Sequence, residues 1–376
     1  MITRRIHSQI AELLGKHPVV ILVGPRGIGK STVANAFSDT YYDLEQEQDL
    51  ARLDIDWIRR MRGKEMLVLD EMQTQPELFL RLLVAIDEHR NRNGRFLLAE
   101  SMASPLIKSL EGRYALCELP PLLISEVPEE RWDDLWAFGG YPEQAEMQGA
   151  FPSWHQTYLE RLSQRDLPNW GFPAPPVVTQ RMFRMLASIH SQPWNASQIG
   201  KSLGVSYHTA NKYVGYLERA GLIRLLPAST VTLNKRLVKT PKLYWRDSGL
   251  LHATLGLDNG TALYAQPWVG ASWEGWAIEQ IIGHLHLAGH PAQASHFGTS
   301  DRYTIDLLLD HQQKRWAMNL SLSSAPDVDL MDRLGAAARL VGADHTILVS
   351  RTSEPRKYKG VVSLSLVDTL QMLGVW

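Results

Sequence analysis

Glycines, a lysine and a serine follow a short apolar run in VVILVGPRGIGKSTVANAF, residues 19–37, at the spacing Gly24-x-x-x-x-Gly29-Lys30-Ser31. That order suits a polyphosphate. Main-chain N–H groups can wrap an anion only where the chain bends tightly, and Gly24, Gly27 and Gly29 allow the bend. A helix opening near Lys30 turns the positive end of its dipole toward the same point. The stretch Gly24, Pro25, Arg26, Gly27, Ile28, Gly29, Lys30, Ser31 and Thr32 is therefore the expected phosphate cradle, a P-loop. The Lys30 ammonium would bridge the β- and γ-phosphates of ATP, and the Ser31 hydroxyl would ligate Mg²⁺, with Thr32 next to it.

A second acidic element is needed, and EMLVLDEMQ (65–73) supplies one. Asp70 is expected to hold the Mg²⁺ shell and Glu71 to polarise the attacking water. RFLLAES (95–101) ends in Ser101, and SLEGRYALCELPPLLISE (109–126) carries Arg113 and a further strand. Stepping along these segments, apolar strands alternate with helices. This predicts an α/β domain with a doubly wound parallel sheet, its ligand at the carboxyl ends of the strands.

The 376 residues are enough for two or three domains. With 44% hydrophobic and 21% charged residues the composition is that of a globular protein. A net charge of −1 gives the whole chain no polyanion-binding bias, so any nucleic-acid surface must be a local patch. The single cysteine, Cys117, excludes an internal disulfide framework. The amino end lacks the apolar core of a signal peptide, and no apolar run approaches the ~18 residues of a membrane span. A cytoplasmic location and no membrane contact are expected.

A proline-rich break, FPAPPVV (172–178), marks an expected linker. Residues 132–169 before it read as a small helical lid. Beyond it, Asn195 is expected to cap a helix with Gln198 as its partner, Gly204 to turn the chain, and Ser206 to cap a second helix. LIRLLPASTVTLNKRLV (222–238) reads as a β-hairpin, so the unit is expected to be a winged helix. Residues 195–245 contain eight basic side chains against one acid, Glu218. That imbalance on a helix-turn-helix suits duplex DNA. Tyr207, His208, Asn211 and Lys212 would face the groove, with Lys235 and Arg236 in the wing. The alternative is a protein-contact module.

The segments GPRGIGKST, LVLDEMQ, SLEGRYALCELPPLLISE, GGYPE (139–143), YLERLSQRDL (158–167) and TPKLYWRDSGLL (240–251) together give a resemblance. The chain resembles bacterial and archaeal AAA+-like P-loop ATPases that carry a C-terminal domain long labelled as of unknown function. The resemblance implies an ASCE-type sheet, ATP with Mg²⁺, a sensor role for Ser101 and a finger or sensor role for Arg113. Arg113 could act in its own chain or on a neighbour in a homo-oligomer, or serve only as a surface ion pair. The family shows Thr-Gly-Ser where this chain has Ala99-Glu100-Ser101.

The last segment is similar in layout to the restriction-endonuclease-like fold. It offers Glu274 on a helix and Asp306 on a strand, then Asn319-Leu320-Ser321 where Glu-x-Lys would stand. Two acidic ligands and a lysine are needed for metal-dependent phosphodiester cleavage. A degenerate domain without nuclease activity is therefore expected. The resulting scheme has a P-loop ATPase domain at 1–130, a helical lid at 131–175, a winged helix at 176–248 and the nuclease-like domain at 249–376. Its function would be Mg²⁺-dependent ATP hydrolysis coupled to DNA binding. Its rival is a slow ATP-dependent switch whose C-terminal half binds protein.

Overall fold

The computed structural model describes residues 2–88, 92–110, 112–146, 149–231, 237–290, 292–299 and 303–376. Its amino-terminal part is a parallel sheet of five strands, β1 (Val19–Val23), β2 (Tyr41–Asp43), β3 (Leu67–Asp70), β4 (Phe96–Glu100) and β5 (Tyr114–Glu118). The spatial order is β2-β3-β4-β1-β5. Side chains alternate across the sheet with period two, and both faces are covered, which is why these strands read as unbroken apolar runs. Val20, Leu22, Val68 and Leu97 face α1 (Ile6–Lys16) and α2 (Lys30–Asn35). Val19, Ile21, Leu67 and Leu98 face α3 (Glu47–Arg62) and α4 (Pro76–Glu88).

Short helices follow: α5 (Trp132–Phe138), α6 (Pro142–Glu146) and α7 (Ser153–Arg161), with a π-helical turn over Leu162–Asp166 leading into α8 (Leu167–Asn169). The proline-rich segment is not a loose linker. Phe172 and Ala174 are buried, and the Phe172 ring packs on Tyr213 and Tyr216 at 5.1 and 5.5 Å. After α9 (Pro176–Ser188) come α10 (Ala196–Leu203) and α11 (Tyr207–Arg219). The caps form as the sequence indicates: Asn195 accepts from Gln198 N, Gly204 turns at φ 73°, and Ser206 accepts from Thr209 N. The strands beside them differ from expectation. β7 (Ile223–Leu226) pairs antiparallel with β8 (Lys242–Trp245), and β6 (Gln192–Pro193) completes the sheet. The return strand thus lies beyond residue 238. Between the two, Ala228 and Leu237 bridge to His296 and Thr299 instead.

α12 (Ser248–Thr254) leads to α13 (Val269–Leu287), a helix buried on all faces as its continuous apolar content requires. The C-terminal sheet contains β9 (Gln293–Gly298), β10 (Thr304–His311), β11 (Lys314–Leu320), β12 (His345–Val349), β13 (Arg356–Tyr358) and β14 (Val361–Leu364), in the order β13-β14-β12-β11-β10-β9. α14 (Val328–Val341) joins β11 to the parallel β12, and α15 (Leu366–Met372) ends the chain.

The parts share their cores. One apolar cluster runs from Ile6 and Val20 through Leu159 and Trp170 to Val214 and Leu250. Arg246 pairs with both Glu118 of β5 and Glu279 of α13, and Arg224 joins Glu279 as well. No helix among the described residues is long and apolar enough to cross a membrane.

Candidate active site

Because β4 lies between β1 and β3, its carboxyl end sits between the P-loop and the acidic pair. Three residues far apart in sequence meet there. Lys30 Nζ donates to Ser101 Oγ at 2.9 Å, and Ser101 Oγ donates to Glu71 Oε1 at 2.6 Å. Lys30 Nζ also donates to Pro25 O at 3.1 Å. Lys30, Asp70, Glu71 and Ser101 are all buried, while Ser31 and Thr32 open to solvent. Burial holds the Lys30 ammonium below the usual lysine range and pushes the Glu71 carboxyl up.

The glycines are required by geometry. Gly27 and Gly29 adopt φ of 77° and 97°, and a Cβ at Gly24 would lie 2.6 Å from Leu119 O. Pro25 abuts Gly221, and Ile28 O accepts from Arg4 at 3.0 Å. Asp70 Oδ1 accepts from Glu71 N at 2.9 Å, and its Oδ2 accepts from the Tyr41 hydroxyl at 2.6 Å. The same hydroxyl faces Ser31. Ser31 and Asp70 are hard oxygen donors brought to one place, a set that fits Mg²⁺. Tyr41 had no motif to announce it. Glu71 itself adopts φ 54°, an uncommon conformation for a glutamate, and Gln73 donates to its carboxylate.

Arg113 is not in this assembly. It precedes β5, whose first residue Tyr114 lies opposite Val19, the first residue of β1. Five residues at about 3.3 Å each separate that edge from the P-loop. There Arg113 pairs with Asp87 at 3.2 Å, so it cannot reach a phosphate held by its own chain. Arg26, by contrast, points into a set of carboxylates at the mouth, forming two 2.8 Å bonds to Glu45.

On α11, Tyr207, His208, Asn211 and Lys212 are exposed. Asn211 is engaged, its Oδ1 accepting from Trp194 Nε1 at 2.8 Å. Lys235 and Arg236 lie outside the described residues. Arg224 and Lys242 turn inward, so the basic surface is smaller than the sequence count implies. Lys242 Nζ lies 3.0 Å from Glu274 Oε1 and 3.2 Å from Asp306 Oδ1. Asn319 Oδ1 accepts from Asp306 N at 3.1 Å, and β11 ends at Leu320, leaving Ser321 outside the strand. A lysine from β8 thus stands between the two carboxylates, an arrangement no local spacing could reveal.

Residues 16–128 match an AAA domain, and residues 129–261 match a domain of unknown function (DUF8612). Two uncharacterized proteins, from Mycobacterium bovis and Mycobacterium tuberculosis, are each 31% identical over 383 residues, spanning 97% of this chain and 86% of theirs. The chain belongs to the family of these two proteins. Among solved structures, the Walker-type ATPase of Pyrococcus abyssi is 14% identical, with a TM-score of 0.47 over 68% of this chain and 96% of that one. RuvB of Thermotoga maritima is 18% identical, with a TM-score of 0.30 over 60% and 90%. The AAA domain is a P-loop ATPase domain of α/β type, and its parallel sheet presents the buried Lys30–Ser101–Glu71 line at the carboxyl edge.

Proposed function

We propose that the AAA domain binds ATP with Mg²⁺ and hydrolyses it. The hydrogen-bonded line Lys30–Ser101–Glu71 carries this reading. Lys30 would exchange Pro25 O for phosphate oxygens, with the P-loop amides around them. Ser31 and Asp70 would hold Mg²⁺, which neutralises charge on the transferred phosphoryl group. Glu71, its carboxyl pushed up by burial, would accept a proton from water, and Ser101 would orient it. Arg113 would meet a nucleotide only in a neighbouring copy, as a homo-oligomer allows. ATP turnover should vanish in Lys30→Ala, while Glu71→Gln should bind ATP and fail to cleave it. Equal turnover in wild type and Lys30→Ala refutes the reading.

The second element of the proposal is nucleic-acid contact through α10, α11 and the sheet β6–β8, read as a winged helix. Lys201, Lys212, Arg219 and Lys239 are exposed around it. The carboxyl end of α11 touches the nucleotide site, since Ala103 N donates to Arg219 O at 3.2 Å and Gly221 abuts Pro25. A change in the P-loop would therefore reach α11 directly. Four phosphate contacts correspond to a log–log salt slope of about −3.6 on duplex DNA. A flat salt response eliminates DNA as the partner. The rival reading, a slow ATP switch with a protein-binding C-terminal half, draws on the engaged Asn211 and the inward Arg224 and Lys242. It predicts background turnover and no DNA affinity.

The C-terminal part is read as a nuclease-like domain without activity. Lys242 pairs with both Glu274 and Asp306, and Asn319 and Ser321 offer neither the third carboxylate nor the adjacent cation. Mg²⁺-dependent cleavage abolished by Asp306→Ala would overturn this.

A further inference from the structure

Asp166, at the end of the π-helical turn, is 2% exposed, and three guanidiniums converge on it. Arg165 Nε lies 2.8 Å away, Arg161 Nε 3.5 Å and Arg26 Nε 3.6 Å. Arg161 and Arg165 belong to the same segment and are half exposed; Arg26 belongs to the P-loop and its side chain is largely buried. π-helical turns often mark functional positions. This one brings the lid down on the P-loop, where the Tyr158 hydroxyl donates to Arg26 O at 2.9 Å and the Tyr158 ring packs over Gly27.

Arg26 reaches the reacting groups. Its Nη1 is 4.0 Å from Glu71 Oε1, the oxygen that also accepts from Ser101, and Ser101 in turn accepts from Lys30. The guanidinium therefore stands across Glu71 from the lysine assigned to the phosphates. A planar fork with five donors can keep one carboxylate while turning another edge to phosphate oxygens. Asp166 on Nε leaves that freedom to the Nη pair, which now holds Glu45. Arg113, at the opposite edge of the sheet, cannot supply this cation within the chain.

We propose that Arg26 is the arginine that contacts the γ-phosphate within its own chain during hydrolysis, and that Asp166 of the lid is its positioning residue. The inference rests on the ATPase reading and adds a residue to it. Closure of the lid then becomes a condition for turnover, because the carboxylate that aims Arg26 is carried by the lid.

Steady-state ATP hydrolysis and binding of a fluorescent ADP, measured on the full chain, test this. ADP lacks the γ-phosphate, so its affinity should be nearly indifferent to Arg26. Arg26→Ala and Arg26→Gln should lower kcat by about 10²–10³-fold, the usual effect of removing one charge-stabilising donor. Asp166→Asn should lower kcat by roughly 10- to 100-fold through misplacement of the fork. ADP affinity should stay within about threefold in all of them. Arg26→Lys should recover part of kcat, since it restores charge without the fork. A kcat within about threefold of wild type in both Arg26→Ala and Arg26→Gln overturns the proposal. So does a loss of ADP affinity parallel to the loss of kcat, which would mean the pair only holds the loop together. Wild-type turnover no faster than that of Lys30→Ala would remove the ATPase reading, and this inference with it.

Discussion

Glu100 closes β4, and its side chain is 0% exposed. Oε2 accepts from Ser104 N at 2.8 Å, while Oε1 has no hydrogen-bond partner among the described residues. Burial, with the nearby Glu71 carboxylate adding to it, pushes the Glu100 carboxyl up to about 7 from the ordinary 4.5. The native chain therefore keeps this proton up to neutral pH, whereas the unfolded chain releases it near 4.5. Between those values the folded state binds more protons, so stability falls as pH rises through this window and is level above it. At about 1.4 kcal/mol per pH unit, the interval from 4.5 to about 7 sets an upper value of about 3 kcal/mol. Glu100→Gln keeps the shape and an acceptor for Ser104 but cannot ionise. It should match wild type near pH 4.5 and exceed it by about 2–3 kcal/mol at pH 8. Thermal melts followed by circular dichroism should show a Tm gap of roughly 2–4 °C at pH 8 that closes on acidification. A gap of equal size at both pH values, or a less stable variant at pH 8, refutes the reasoning.

Glu279→Gln should cost about 3 kcal/mol in urea unfolding, because it leaves the partly buried Arg246 and Arg224 short of their buried shared partner. Lys242→Met should destabilise by a similar ~3 kcal/mol, as Glu274 and Asp306 lose the cation between them; an unchanged unfolding midpoint would show that solvent already screens the pair. Two glycines should respond in opposite directions when melted as alanine variants. Gly249→Ala would drive a Cβ to 2.0 Å from Phe138 O and should leave little folded protein, whereas Gly215→Ala meets nothing within 4 Å inside α11 and should gain about 0.5–1 kcal/mol.

The P-loop, the acidic strand and the paired helices were legible because their signals are local: apolar period, cap residues and glycine spacing act within a few residues of one another. Asn195 and Ser206 cap as their positions indicate. What was not legible depends on distance in sequence. Arg113 follows a motif, but register with β1 fixes it at the amino edge of the sheet. The proline-rich segment has linker composition, yet Phe172 finds Tyr213 and Tyr216 some forty residues later. Charge counting over residues 195–245 could not know that Arg224 and Lys242 answer carboxylates on α13 and β10.

Insertion of β4 between β1 and β3 decides more of this site than any single motif. Lys30, Glu71 and Ser101 follow one another along the chain, but in space Ser101 stands in the middle. Among the described residues, the hydroxyl at the end of β4 thus links Lys30, proposed to hold phosphate, to Glu71, proposed as the general base. Two residues further on, Ala103 N is bonded to the last turn of α11. A nucleotide that pulled Lys30 away from Ser101 would act on the same short segment that bonds the last turn of α11. Coupling between the two halves therefore needs no long path. It needs four residues after one strand, 101–104, to have two positions. Ser101→Ala should accordingly disturb turnover together with any partner affinity of α11, whereas a substitution at exposed Lys212 should change partner affinity alone.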